Sequence, residues 1–248
     1  MNSAKDCFLQ DEYRPDDHAY VRTREELDPK EYFVETCGII SEQYGDRDIS
    51  LIDVGCANGA FLSYANESLN ISRSYGVDIS EELLDIATKI VPESSFVKKS
   101  IFDLSAESVG KFDVCTCLGT VALIDEFNLA IYSLLELIAD EGLLIILDCI
   151  NDFPIDTIMR FRRVTDQPDQ DYWQPGFNVR STATYESVLA CAGEEFDIVF
   201  RDFNMPFSIE KTEDPMRAWT ICTEESKHQL VLGTRNLIDM KFACIKRT

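Results

Sequence analysis

The stretch at residues 50–64, SLIDVGCANGAFLSY, limits what this chain can fold into more than any other. Leu51, Ile52 and Val54 bracket Asp53 in a short apolar run, the pattern of a buried strand. Gly55 and Gly59 then enclose Cys56, Ala57 and Asn58 in a tight turn, and Ala60, Phe61, Leu62 and Ala65 begin a helical run. Strand, glycine turn and helix in that order open a βαβ unit whose turn lets the backbone come close to a ligand. A dinucleotide fingerprint needs glycines at G-x-G-x-x-G, whereas this turn reads G-x-A-x-G. A nicotinamide-dependent oxidoreductase is therefore disfavoured.

The same rhythm continues along the chain. After Pro29, apolar residues at helical spacing (Tyr32, Phe33, Thr36, Ile39, Ile40, Tyr44) predict a helix ahead of the first strand. Strands are expected at residues 49–54, 73–79, 95–98, 111–118 and 143–150, with helices at 61–69, 81–91 and 125–139. Ser80 suits the cap of the second of these helices. Strands apolar on both faces and separated by helices imply a parallel sheet covered on both sides. Residues 151–180 break the pattern with three prolines, the arginines Arg160, Arg162 and Arg163, and the aromatics Tyr172, Trp173 and Phe177. A loop-rich insert of that length is usually functional. A helix at 182–192 follows, capped by Ser181 or Thr182. Four strand-like segments then succeed one another without glycine–helix signals, so the carboxyl third is expected to be antiparallel.

Charge and cysteine content bound the partners. With 248 residues the chain can bury a full core, and its formal charge of −22 disfavours a nucleic-acid backbone or an anionic membrane. Nine cysteines without a CxxC pair read as buried thiols, and two histidines make a zinc site improbable. Cys115 and Cys117 fall on one face of a strand, where packing is their expected role. No leader or long apolar run is seen, so the expected setting is cytoplasmic, without nucleic acid or membrane as partner.

In an open parallel sheet a ligand sits outside the carboxyl ends of the strands. There Asp53 can reach an ammonium group, and Gly55, Ala57 and Gly59 allow close backbone approach. Asp78, 25 residues beyond Asp53, suits a pair of ribose hydroxyls, and suits a helix cap as well. Ser100, Ile101, Phe102 and Asp103 follow the third strand, where an apolar wall with one acceptor would hold an adenine. Leu118, Gly119 and Thr120 follow the fourth.

Taken together, the G-x-A-x-G turn, the spacing to Asp78 and the final strand-like DMKFACIKR resemble the class I S-adenosylmethionine-dependent methyltransferases, over at least residues 49–150. The resemblance implies an α/β, three-layer Rossmann-like sandwich with a mostly parallel seven-stranded sheet and a reversed last strand. It implies S-adenosyl-L-methionine as cofactor and S-adenosyl-L-homocysteine as product. It assigns Asp53, Gly55, Cys56, Ala57 and Gly59 to the methionine part, and Asp78 with Ile79 to the ribose. Ser100, Ile101, Phe102 and Asp103 fall to the adenine, and Cys117, Leu118 and Gly119 to the methyl path. Two departures stand out: Ala57 replaces the middle glycine of the commonest turn, and Ser100 replaces an aspartate often found after strand three. Adenine recognition then passes to Asp103 or to a backbone amide at Ile101 or Phe102.

The expected organisation is an amino-terminal lid and helix at residues 1–48 and a methyltransferase domain at 49–248, with 151–180 as a lid or acceptor insert. After strand four the chain reads CLGT, not an NPPY-like tetrapeptide, which argues against methylation of amino groups in adenine or glutamine within polymers. The leading expectation is methyl transfer to an oxygen or nitrogen of a small metabolite. A protein or RNA acceptor, or a silent cofactor-binding module, are the alternatives. In-line approach to an activated sulfonium supplies much of the catalysis, and an oxygen acceptor would also use a base, with His228, His18, Asp148 and Asp152 as candidates. Tyr13, Tyr20, Tyr172, Trp173, Phe177 and Arg160 are the candidate acceptor contacts, in a monomer or homodimer.

Overall fold

Apolar residues on both faces of the early strands, and on one face of each helix, set the architecture of the first part of the chain. The computed structural model describes residues 29–161, 173–211, 219–222, 228–231, 237–238 and 240–247. They divide into two compact units, one ending at Leu104 and one beginning at Ser105. The first contains α1 (Glu31–Tyr44), β1 (Ile49–Val54), α2 (Ala60–Ser68), β2 (Ile71–Asp78), α3 (Glu81–Ile90) and β3 (Ser95–Lys98). Its strands lie in the order β3-β2-β1 and every neighbouring pair is parallel. Leu51, Ile52 and Val54 are buried, as are Phe33, Ile39, Ile40 and Tyr44 along one side of α1. Phe33 packs on Phe61 and Tyr64 of α2, with ring centroids 5.5 and 6.4 Å away. Burying side chains of this size contributes roughly 2 kcal/mol each.

α3 shows how local sequence sets an element. Its apolar residues Leu83, Leu84, Ala87 and Ile90 are buried on one side, and the Leu83 amide donates to the Ser80 hydroxyl at the cap. Glu81 and Glu82 in the first turn and Lys89 in the last complement the helix dipole.

The second unit holds α4 (Ala106–Val109), β4 (Phe112–Leu118), α5 (Phe127–Glu136), β5 (Ile138–Asn151), β6 (Arg160–Phe161), β7 (Gln174–Pro175), β8 (Arg180–Ser181), α6 (Thr182–Ala190) and β9 (Phe196–Asp202). β10 (Trp219–Cys222), β11 (His228–Val231), β12 (Leu237–Ile238) and β13 (Met240–Arg247) follow. β4 and β5 are parallel, whereas β13 runs antiparallel to both β5 and β9, between which it lies. β10, β11 and β12 form a separate antiparallel sheet, as the lack of crossover signals predicts. Three strands of the first unit and β4, β5, β13 and β9 of the second are those of a mostly parallel Rossmann-like α/β sheet with a reversed last strand.

One expected element is redrawn. The helix predicted to run to residue 139 ends at Glu136, and β5 starts at Ile138 rather than 143. Ile138 pairs with Phe112 and Leu143 with Val114, so the residues between them bulge out of the ladder. Glu141 sits there at φ 60, and a Cβ on Gly142 would lie 2.7 Å from the Ala139 carbonyl oxygen. Tertiary pairing of Ile138, which is fully buried, outweighs the helical periodicity.

Candidate functional site

The turn after β1 is built from alternating left-handed residues: Gly55 at φ 82, Ala57 at φ 47 and Gly59 at φ 76. Its first two amides, of Gly55 and Cys56, both donate to the Val77 carbonyl, at 2.8 and 3.0 Å. This docks the turn on the carboxyl end of β2. The next amide, of Ala57, donates to Asp78 Oδ2 at 2.8 Å, while the Ser80 amide donates to Oδ1 at 2.9 Å. The Asp78 carbonyl in turn accepts the Lys99 amide at 3.0 Å. Asp78 is thus fixed by both neighbouring strand ends. Ser80, not Asp78, caps α3. A carboxylate offers about four lone-pair directions, so each oxygen keeps one for a ligand hydroxyl.

Close packing around the turn explains two glycines. A Cβ on Gly76 would lie 2.5 Å from the Phe96 ring and 2.9 Å from Cys56 Sγ; one on Gly59 would lie 3.1 Å from the Ala87 Cβ. Phe96 therefore lies across the β2 backbone, and α3 presses on the start of α2. Asp53 and Asn58 are buried, and the Asn58 side-chain oxygen accepts the Ala60 amide at 3.3 Å. Asn58 was not among the expected site residues, although its place beside the α2 cap is the signal that could have found it. Burial, then the charges of Asp53 and Asp78, push the Cys56 thiol well above its usual range. It is a neutral filler and no nucleophile.

Beyond Asp78 the chain exposes two large apolar side chains, Ile79 at 43% and Phe102 at 37%. Ile101 is buried beneath. Ser100 spends its hydroxyl on the Phe102 amide at 3.4 Å and its carbonyl on the Asp103 amide at 3.0 Å. Those two amides are engaged, and the Asp103 carboxylate is exposed. A held carboxylate beside exposed apolar side chains and a glycine-lined turn fits a nucleoside with an adjacent charged tail.

The second unit places the other expected residues. Cys117 is buried, and Gly119 at φ 80 donates its amide to the Leu147 carbonyl at 2.9 Å, with open space where a Cβ would stand. Asp148, 1% exposed, accepts the Tyr185 hydroxyl and the Cys149 amide, both at 2.8 Å. Burial pushes its carboxyl up to about 7, against the lowering pull of Tyr185, the Cys149 amide and Arg180. Asp152 pairs with Lys241 Nζ at 3.3 Å, and Asp202 holds the same ammonium at 2.6 Å. Burial opposes that charge, but the two carboxylates more than offset it and the Lys241 pKa is raised. His228 Nδ1 lies 3.1 Å from the Met205 carbonyl oxygen. A carbonyl only accepts, so Nδ1 is the donor of this pair. Arg160 is ion-paired with Asp125, Phe177 is half-buried and Trp173 exposed. His18, Tyr13, Tyr20, Tyr172, Arg162 and Arg163 lie outside the described residues.

Sequence reasoning missed the polar side chains that hold this unit's loops. Asn178, fully buried, donates to the Ile124 carbonyl and to Asp125 Oδ1, both at 3.2 Å, and accepts the Met159 amide at 2.9 Å. Arg180 reaches the carbonyls of Ile124 and Asp125 and lies 3.8 Å from Asp156. No described group of His, Cys, Asp and Glu could hold a metal ion. No described helix is long and apolar enough to cross a membrane.

The comparisons agree with this geometry. A family model described as a methyltransferase domain matches residues 46–193, more than half of the chain. This chain belongs to that family, with the class I, S-adenosylmethionine-dependent fold. Among solved structures it is similar to magnesium protoporphyrin IX methyltransferase from Synechocystis PCC 6803 with bound SAH. The TM-score is 0.54 at 15% identity, covering 88% of this chain and 82% of that one. It is similar also to 1,6-didemethyltoxoflavin-N1-methyltransferase from Burkholderia thailandensis (TM-score 0.55, 14% identity, 88% and 79% covered). A third is an S-adenosylmethionine dependent methyltransferase from Mesorhizobium loti (TM-score 0.51, 13% identity, 85% and 96% covered). At these identities the likeness is one of fold. No curated protein matches the sequence.

Proposed function

We propose that the chain transfers a methyl group from S-adenosylmethionine to an oxygen or nitrogen of a small metabolite. The observation that carries this reading is Asp78, held at the end of β2 by the Ala57 and Ser80 amides with exposed Ile79 next to it. In this reading Asp78 accepts the ribose hydroxyls, and the turn 55–59 and Asp53 take the methionine part. Ile79 and Phe102 flank the adenine, Asp103 accepts from its amino group, and Cys117, Leu118 and Gly119 border the methyl. When bound, the cofactor supplies a methyl group on a sulfonium that needs no further activation. The chain's own work is to orient, exclude water and take a proton. Of the candidate bases, His228 turns Nδ1 to the Met205 carbonyl, which leaves Nε2 as its atom for taking a proton. Asp148 is buried with both oxygens engaged, and Asp152 is neutralised by Lys241. The charge of −22 weighs against RNA as acceptor, and two of the similar structures are named for small acceptors.

Calorimetric titration tests it. S-adenosylhomocysteine should bind one site and NAD should not, and Asp78→Ala should weaken the binding at least tenfold, since a hydrogen bond to a charged group contributes roughly 1.5–3 kcal/mol. Binding of NAD in place of S-adenosylhomocysteine would sink the reading.

A further inference from the structure

Five segments meet at the carboxyl ends of β4 and β5. Ala122, just after β4, and Cys149, near the end of β5, are buried there. Phe177 and Val179 from the insert, Leu230 from β11 and Met240 from β13 pack on them, and all four remain partly exposed. Asn178 fastens this cluster. Its own amide donates to the Ala122 carbonyl at 2.7 Å, and its side chain ties Ile124, Asp125 and Met159 together. The residues on either side of it, Phe177 and Val179, are thereby laid against Ala122 and Cys149. Burying a primary amide with both its protons and its oxygen bonded, directly between two half-exposed apolar side chains, makes the patch a shaped surface rather than a loose edge. His228 and Leu230 are two apart on β11, so both side chains leave the same face of that strand.

We infer that Phe177, Val179, Leu230 and Met240 form the wall that receives the acceptor, that the acceptor presents an uncharged apolar face to it, and that Asn178 positions the wall. The inference rests on the methyltransferase reading for the identity of the occupant. Three observations specify the chemistry. The wall has no charged member. It lies at the strand ends where ligands of open α/β sheets bind. The overall charge of −22 repels anions, so a neutral or cationic molecule is admitted. The small β10–β11–β12 sheet, which contributes Leu230, is then the element that sets acceptor choice.

The neutral fluorophore N-phenyl-1-naphthylamine serves as probe, titrated into the full chain with and without S-adenosylhomocysteine. Saturable binding is expected, with Leu230→Gln and Phe177→Ser each weakening it about tenfold while S-adenosylhomocysteine affinity stays within about twofold. Ile221→Gln, at an exposed position of β10, should leave probe binding unchanged. Asn178→Ala should weaken the probe at temperatures where the variant is still folded. Ser108→Ala, which removes hydrogen bonds at the cap of α4, should not. No saturable probe binding, or binding that Leu230→Gln and Phe177→Ser leave intact, overturns the wall. Equal probe loss in Asn178→Ala and Ser108→Ala overturns the positioning role. Failure of S-adenosylhomocysteine to bind overturns the methyltransferase reading instead, and the probe still decides the wall.

Discussion

The two units build their ligand-facing ends by opposite means. In the unit ending at Leu104 the work is done by backbone: three left-handed turn residues, amides aimed at Val77 and Asp78, and glycines where Phe96 and α3 come close. In the unit beginning at Ser105 it is done by side chains. Asn178, Arg180, Asp125 and Asp156 reach across segments up to 56 residues apart to hold loops in place. Backbone geometry serves a ligand that never changes, whereas a side-chain frame can be rebuilt one substitution at a time. The contrast matches a common donor and a variable acceptor.

The sharpest test of the side-chain frame is its buried acid. Asp148 is pushed up to about 7, chiefly by burial, from an unfolded value near 4. Between those values the folded chain keeps a proton that the unfolded chain has lost, so this group's contribution to stability falls as pH rises through that window and is flat above it. Asp148→Asn removes the dependence. In urea unfolding at pH 5 and pH 8, the wild type should lose on the order of 2.5 kcal/mol more than the variant between the two conditions. A difference that does not change with pH would show that Asp148 is ionised throughout.

The backbone frame is tested by a single carbon. Gly76→Ala drives a methyl into the Phe96 ring and Cys56 Sγ and should cost about 2 kcal/mol in urea unfolding, with weaker S-adenosylhomocysteine binding as the turn shifts. A neutral result would mean that Phe96 moves away freely. The smallest effect runs the other way. Ala57 at φ 47 bears the strain of a left-handed residue with a Cβ, so Ala57→Gly should stabilise by about 0.5–1 kcal/mol, read as a rise in the unfolding midpoint. A loss of stability would instead mean that unfolded-chain entropy dominates at this turn.

These two frames also differ in how far they can be read from sequence. The strands β1 to β4, the Ser80 cap and the turn are local or follow from period and glycine placement, so these four strands are legible to within two residues, whereas the short α4 is not. Asp78 was found by its spacing from Asp53. The start of β5 was not, because the Phe112–Ile138 pairing overrides the helical stripe that runs through residue 138. Asn178 was passed over because nothing in NVRS distinguishes a buried amide from a loop residue; its three partners lie 19 to 54 positions away. Residue type alone makes Asp148 and His228 equal candidates as bases, and only their hydrogen bonds separate them.

The sequence by itself determined the alternation of strands and helices and the glycine turn after β1, because each rests on contacts between residues close in the chain or on a two- or three-and-a-half-residue period; the reversed final strand followed from the family resemblance, since β13 pairs with the distant β5. Tertiary structure alone decided which polar side chains are buried and with whom, and which apolar residues of β11, β13 and the insert share one surface. Such pairings join distant segments, and their energy depends on desolvation and geometry that no local pattern encodes.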